Sequence, residues 1–124
     1  MNRESISEAE SAVLAVLWDR GAASAEDVTA VLSQPRGWQD STVKTLLGRL
    51  LKKGAVHAEK DGRRFIYSPT LAREEWLSRE SESLLNRLYG GRVAPLVAHF
   101  SRHRKLSKRD IRELKRLIEE LDDE

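Results

Sequence analysis

The chain has 124 residues, no cysteine and a formal charge of +2. That length suits one compact domain, or a small domain with an assembly arm. Without cysteine there can be no disulfide, thiolate metal site or cysteine nucleophile, and no apolar run approaches the ~20 residues that span a bilayer. The opening Met1-Asn2-Arg3-Glu4-Ser5 lacks the apolar core of a signal peptide, so a cytoplasmic protein without membrane insertion is expected. The charge is unevenly spread: Met1–Pro35 has two basic side chains against six acidic, and Arg36–Arg64 has eight basic against three acidic. Positive charge gathered on one segment is the footprint of a nucleic-acid binder, although a solvated charged surface would look the same.

Ser7-Glu8-Ala9-Glu10 is a capping-box pattern that opens a helix carrying Val13, Leu14, Val16, Leu17 and Trp18, stopping near Gly21. Ser24-Ala25-Glu26-Asp27 opens a second helix, with an apolar edge of Val28, Val31 and Leu32, which Pro35 and Gly37 break. The third helix follows Trp38, with Asp40 as its expected N-cap, Lys52 and Lys53 at its end and Gly54 as its left-handed stop. Val43, Leu46, Leu47, Leu50 and Leu51 recur at helical spacing and form its buried stripe. Its other face carries Ser41, Thr42, Lys44, Thr45, Gly48 and Lys52: short polar groups, a small residue and cations. Such a face can lie close to a polyanion and present hydroxyls and an ammonium to base edges. Residues 41–53 therefore read as the recognition helix of a helix-turn-helix.

After Gly54 the period changes. Val56 to Lys60, Asp61-Gly62 and Arg63 to Tyr67 form a hairpin signal with a preferred two-residue turn. A turn at Asp61-Gly62 pairs Lys60 with Arg63, Glu59 with Arg64 and Ala58 with Phe65. Val56, Ala58, Phe65 and Tyr67 then share a face for packing on the helices, and Lys60 and Arg63 stay at the tip. A basic hairpin at 56–67 after a basic third helix defines a winged helix-turn-helix. The expected fold is mainly α with a small β-hairpin wing, in a DNA-binding domain at 1–70.

From 71 to 124 the chain reads as three charged amphipathic helices. The first, Leu71 to Tyr89, carries Trp76, Leu77, Leu84, Leu85 and Leu88. A short one with Pro95 in its first turn holds Leu96, Val97 and Phe100. The last, capped by Ser107, aligns Ile111, Leu114, Leu117, Ile118 and Leu121. These apolar faces exceed what one small chain can cover, which favours a dimerisation arm with Trp76, Leu84, Leu88, Leu96, Phe100, Leu114, Leu117 and Ile118 at the contact. The competing arrangement folds the arm back onto its own N-terminal domain.

An enzyme has little material here. His99 and His103 stand four apart, a spacing that two metal ligands use, but no carboxylate lies at matching spacing, so a surface or interface pair is expected and no metal or cofactor. No nucleophile elbow, phosphate-binding glycine loop or paired-carboxylate motif occurs. Two other readings stay open: a winged helix used for protein–protein contact, and a small-molecule-responsive regulator with a pocket beside Trp76.

The chain resembles the penicillinase and methicillin-resistance repressors and the related copper-transport repressors. The likeness runs through Ile6-Ser7-Glu8-Ala9-Glu10 to Val16-Leu17-Trp18, Thr42-Val43-Lys44-Thr45-Leu46-Leu47-Gly48-Arg49-Leu50 to Lys52-Lys53-Gly54, and Gly62 to Pro69. It continues through Leu84 to Gly91, Leu96 to Phe100 and Leu106-Ser107. The resemblance implies a homodimeric repressor whose winged helices bind a palindromic operator in double-stranded DNA, with TACA and TGTA half-sites, while the C-terminal helices interlock. It implies that Thr42 and Thr45 face bases, with Ser41 and Lys44 near base edges or phosphates. Lys52, Lys60, Arg63 and Arg64 then contact mainly the backbone, with Arg49 as a fold brace or a flanking phosphate contact. In the β-lactam branch a membrane sensor protease leads to cleavage before a Phe, which aligns here with the His99–Phe100 bond; those relatives have Asn at the position of His99. The copper-responsive members end in paired Cys-x-Cys motifs, which this chain, ending Leu121-Asp122-Asp123-Glu124, lacks.

Overall fold

Three helices of this chain begin with the same reciprocal cap. In the computed structural model, which describes residues 5–123, the Ser7 hydroxyl accepts from the Glu10 N–H at 3.1 Å while the Glu10 carboxylate accepts from the Ser7 N–H at 2.8 Å. This box opens α1 (Glu8–Arg20). Ser24 and Asp27 repeat it at α2 (Ala25–Arg36), and Ser107 and Asp110 at α6 (Lys108–Asp122). Between them lie β1 (Ala23–Ser24), α3 (Asp40–Lys52), β2 (Val56–Asp61), β3 (Arg64–Pro69), α4 (Arg73–Tyr89) and α5 (Val93–Arg102). Met1 to Glu4, part of the stretch read for a signal peptide, and Glu124 lie outside the described residues.

The chain forms two compact units, one ending at Leu77 and one beginning at Ser78. Among the described residues every buried side chain belongs to the first unit. Val13, Leu14, Val16 and Leu17 of α1 meet Val28 and Leu32 of α2, Val43, Leu46, Leu47 and Leu50 of α3, and Val56 at the start of the wing. Two expected core residues lie outside it. Leu51 is 40% exposed and Val31 43% exposed, because each sits at the edge of its helical stripe rather than at its centre.

Two helix ends differ from expectation. Gln39, in extended conformation and without a side-chain bond, is the N-cap of α3. Asp40 is already helical there, so its carboxylate acts on the helix dipole instead of capping. α2 runs through Pro35, whose missing N–H costs one backbone bond in the last turn, and ends at Gly37 with φ +67°.

The wing is paired two residues out of the expected register. Ala58 faces Tyr67, Lys60 faces Phe65 and Asp61 faces Arg64, leaving Gly62-Arg63 as the turn. Gly62 has φ +67°, whereas Arg63 is not among the described residues with positive φ, the requirement of a type II′ turn with glycine first. A slip of one would have inverted the faces; a slip of two preserves them, so Val56, Ala58, Phe65 and Tyr67 still share one side. Phe65 nevertheless is 49% exposed and does not pack into the core. Arg64 now stands 3.8 Å from Asp61 instead of opposite Glu59. β1 was not anticipated: two residues before α2 pair with β3, Ala23 against Tyr67 and Ser24 against Ile66, giving a sheet of order β1-β3-β2.

Leu71 precedes α4 and is buried with the core; its carbonyl accepts the Trp18 indole N–H at 2.9 Å. Trp76, expected at the dimer contact, packs its ring on Trp18 at 5.5 Å within the first unit. The second unit has no buried side chain among the described residues. Leu96, Val97, Phe100, Leu106, Leu114 and Leu117 line a hollow between α5 and α6, with Asp110 and Glu113 on its rim. Leu88, Val93, Ile111, Ile118 and Leu121 stand in the open.

Candidate nucleic-acid interface

α3 is split cleanly between core and surface. Val43, Leu46, Leu47 and Leu50 are buried, while Ser41, Thr42, Lys44, Thr45, Gly48, Arg49 and Lys52 are exposed. The exposed row follows from the 3.6-residue period: Thr42, Thr45 and Arg49 are three and four residues apart and share one side. Ser41, Thr42, Thr45, Leu46 and Arg49 line a shallow hollow on that surface. Arg49 had two roles open to it from sequence; its place in this hollow sets it beside the predicted base-facing threonines. The spacing from Thr42 and Thr45 was the signal for it.

The Thr45 hydroxyl donates to the Ser41 carbonyl at 2.9 Å. With its proton used inside the helix, the oxygen presents lone pairs outward and the methyl remains available to an apolar base edge. Lys44 lies on the neighbouring side, where it lines a cleft with Ser24, Ala25, Glu26, Arg63, Arg64, Phe65 and Tyr67. The start of α2, α3 and the wing thus converge on one surface. Lys52, at the end of α3, and Lys60, on β2, are both exposed. Phe65, the residue whose packing sequence misjudged, lines this cleft with the cations.

Lys53 is a different kind of cation. Its ammonium donates to the Glu10 carboxylate at 2.6 Å and to the Ser5 carbonyl at 2.7 Å. Burial pushes the Glu10 carboxyl up, but the bonds from Lys53 and Ser7 outweigh it and hold the carboxyl below the usual glutamate range. This tie fastens the end of α3 to the start of α1. Arg36 does the same for α2: it grips Glu8 through two bonds of 2.9 and 2.7 Å and lies 5.1 Å from the Trp38 ring centre. The Arg36 bonds lower the Glu8 carboxyl. Sequence counted both cations with the basic surface; the structure spends them on holding three helices together.

In the second unit His99 and His103 have ring centres 4.5 Å apart, and His99 meets the Phe100 ring edge-on at 5.9 Å. Among the described residues no group of three or more potential ligands is gathered for a metal ion. No helix of the described residues is long and apolar enough to cross a membrane.

A three-helix core, a polar and cationic third helix and a basic hairpin beside it define a winged helix-turn-helix of the DNA-binding kind. Residues 6–120 match the family model described as Penicillinase repressor. The chain is 36% identical over 115 residues to the penicillinase repressor of Bacillus licheniformis, covering 93% of this chain and 90% of that protein. It is 31% identical over 113 residues to the methicillin resistance regulatory protein MecI of Mammaliicoccus sciuri, with 91% and 92% covered. The solution structure of monomeric Bacillus licheniformis BlaI in complex with the blaP half-operator superposes with a TM-score of 0.52 at 35% identity, over 60% of this chain and 90% of that one. The chain belongs to the penicillinase repressor family, a family of DNA-binding transcriptional repressors and not of enzymes.

Proposed function

We propose that the protein is a homodimeric transcriptional repressor that binds a palindromic operator, one winged helix to each half-site. The observation that carries this is the outward face of α3, where hydroxyls, a small residue and cations stand on a fully apolar inner stripe beside a basic wing. Thr42 and Thr45 read bases, Ser41 and Lys44 reach base edges or nearby phosphates, and Lys52, Lys60, Arg63 and Arg64 hold the backbone. Phosphate contacts set the register and base contacts the sequence. The half-operator complex of the Bacillus licheniformis relative supports the assignment.

The dimer follows from the second unit. Leu88, Phe100, Leu117 and Ile118 are exposed there, and Leu84, Leu96 and Leu114 are half-buried. Apolar area of this extent on a soluble chain marks a contact. Trp76 leaves the contact list because its ring is used on Trp18. The His99–Phe100 bond lies inside α5, so a protease must first open that helix. Severing it would part Phe100 and the α6 stripe from the rest of the chain, the route by which a membrane sensor protease would relieve repression. Sedimentation of the full chain alone and with an operator duplex tests the proposal. A dimer at micromolar concentration and two chains per duplex are expected; a monomer in both overturns it.

A further inference from the structure

Among the described residues, positive φ falls on six glycines and on one residue with a side chain, Arg104, at 56°. Arg104 follows α5 in the left-handed position of a Schellman motif. Its N–H donates to the Ser101 carbonyl at 3.2 Å, and the Lys105 N–H donates to the Phe100 carbonyl at 2.8 Å. Glycine is the usual residue there, because a Cβ strains the left-handed conformation. A second cost lies just beyond the turn. α6 opens with Lys108 and Arg109, cations at the helix end that favours acids. Local stability therefore explains neither the arginine at 104 nor the lysine at 108.

The charge of this segment is one-sided. No Asp or Glu occurs between Glu82 and Asp110, a stretch with seven Arg and Lys. Arg102, Arg104, Lys105 and Lys108 are all exposed. Among the described residues none of these four takes part in an ion pair. The acids that follow are already engaged: Asp110 accepts from the Ser107 N–H at 3.3 Å, and Glu113 from Arg109 at 3.2 Å. The contrast is with Arg36 and Lys53, which hold the first unit together and reach carboxylates at 2.9, 2.7 and 2.6 Å. Cations kept unpaired, one of them on a strained residue, point to a use for their charge outside the chain.

We propose that the α5–α6 turn is a second DNA-contacting surface, where Arg102, Arg104, Lys105 and Lys108 hold backbone phosphates of a duplex without reading its sequence. A small anion needs a cradle, whereas these side chains stand on an open turn. Duplex DNA presents a phosphate for every ~1.7 Å of its axis, a repeated charge that suits successive exposed cations. The proposal rests on the operator-binding reading above, since a winged helix already on DNA keeps the turn at high effective concentration around the same polyanion. It adds affinity and salt sensitivity, not specificity.

The test compares the full chain with an Arg102→Ala, Arg104→Gly, Lys105→Ala variant, which leaves α6 untouched. Binding to an operator duplex with long flanks is followed from about 0.05 to about 0.2 M salt. Each lost phosphate contact should lower the slope of log affinity against log salt by about 0.9. Three lower it by about 2.7, so over that range the native chain loses about fortyfold more affinity than the variant. The ratio of operator to scrambled-duplex affinity should not change. Arg104→Gly alone should lower the slope by about 0.9 without lowering Tm, and Arg104→Lys should keep the slope. An unchanged slope in the triple variant overturns the proposal. So does a triple variant that sediments as a monomer where the native chain is a dimer, which would assign the cations to the contact between copies. Loss of retention on phosphatidylserine vesicles with an unchanged DNA slope would assign the turn to a membrane surface and overturns it too. A native chain with no sequence preference refutes the operator reading instead, and leaves a lowered slope in the variant as evidence for the phosphate contacts.

Discussion

Lys53→Met removes the ammonium that neutralises Glu10. The Glu10 side chain is 2% exposed and that of Lys53 17% exposed, so the pair is largely desolvated. After the substitution the carboxylate keeps its bond from the Ser7 N–H at 2.8 Å and loses its charge partner. Breaking a buried pair from one side costs about 3–5 kcal/mol; the partial exposure of Lys53 admits water and sets the expectation near the lower end, about 3 kcal/mol at pH 7. For a domain of this size that is about 12–24 °C in Tm. The pH dependence identifies the cause. In the native chain the Glu10 carboxyl lies below the ordinary value of 4.5, so its contribution is present above 4.5 and is lost as pH falls through the lower folded value. In the variant burial is opposed by the Ser7 bonds alone, so the carboxyl rises above its value in the native chain and the folded variant takes up a proton at higher pH than the native chain does. The stability gap measured by urea unfolding should therefore narrow from pH 7 towards pH 4.5. Glu10→Gln added to Lys53→Met should restore much of the loss at pH 7. A gap that stays constant with pH, or a double variant no better than Lys53→Met, refutes the buried-pair account.

Thr45→Ala should reduce discrimination between operator and random duplex by about 1–3 kcal/mol in competition binding; equal losses on both remove Thr45 from base readout. Lys60→Ala should weaken both duplexes alike and lower the salt slope by about one. Gly62→Ala should destabilise the wing by about 1–2 kcal/mol through its positive φ alone, since an added Cβ meets nothing within 4 Å. Hydrogen exchange confined to β2 and β3 would detect this, and unchanged protection there would contradict the turn geometry.

Most of the fold was legible because local signals are strong where they are short-ranged. The three serine caps each act over three residues, and all three formed as read. The division of α3 into a buried and an exposed face followed from the spacing of Val43, Leu46, Leu47 and Leu50. Register was harder: Asp61-Gly62 and Gly62-Arg63 are both acceptable two-residue turns, and choosing between them depends on packing across β3 against β1, a two-residue strand too short for a period. Charge sums could not separate Lys53 and Arg36 from the cations left exposed on α3 and the wing. Their partners, Glu10 and Glu8, lie 43 and 28 residues away.

The central claim is best tested by selecting binding sites for the full chain from random double-stranded DNA near physiological salt. The account predicts an enriched two-fold palindrome, its half-site lost when Thr42 and Thr45 are replaced by Ala and kept when Lys60 is. Salt-sensitive binding without any enriched sequence, or no retention of DNA, would contradict it.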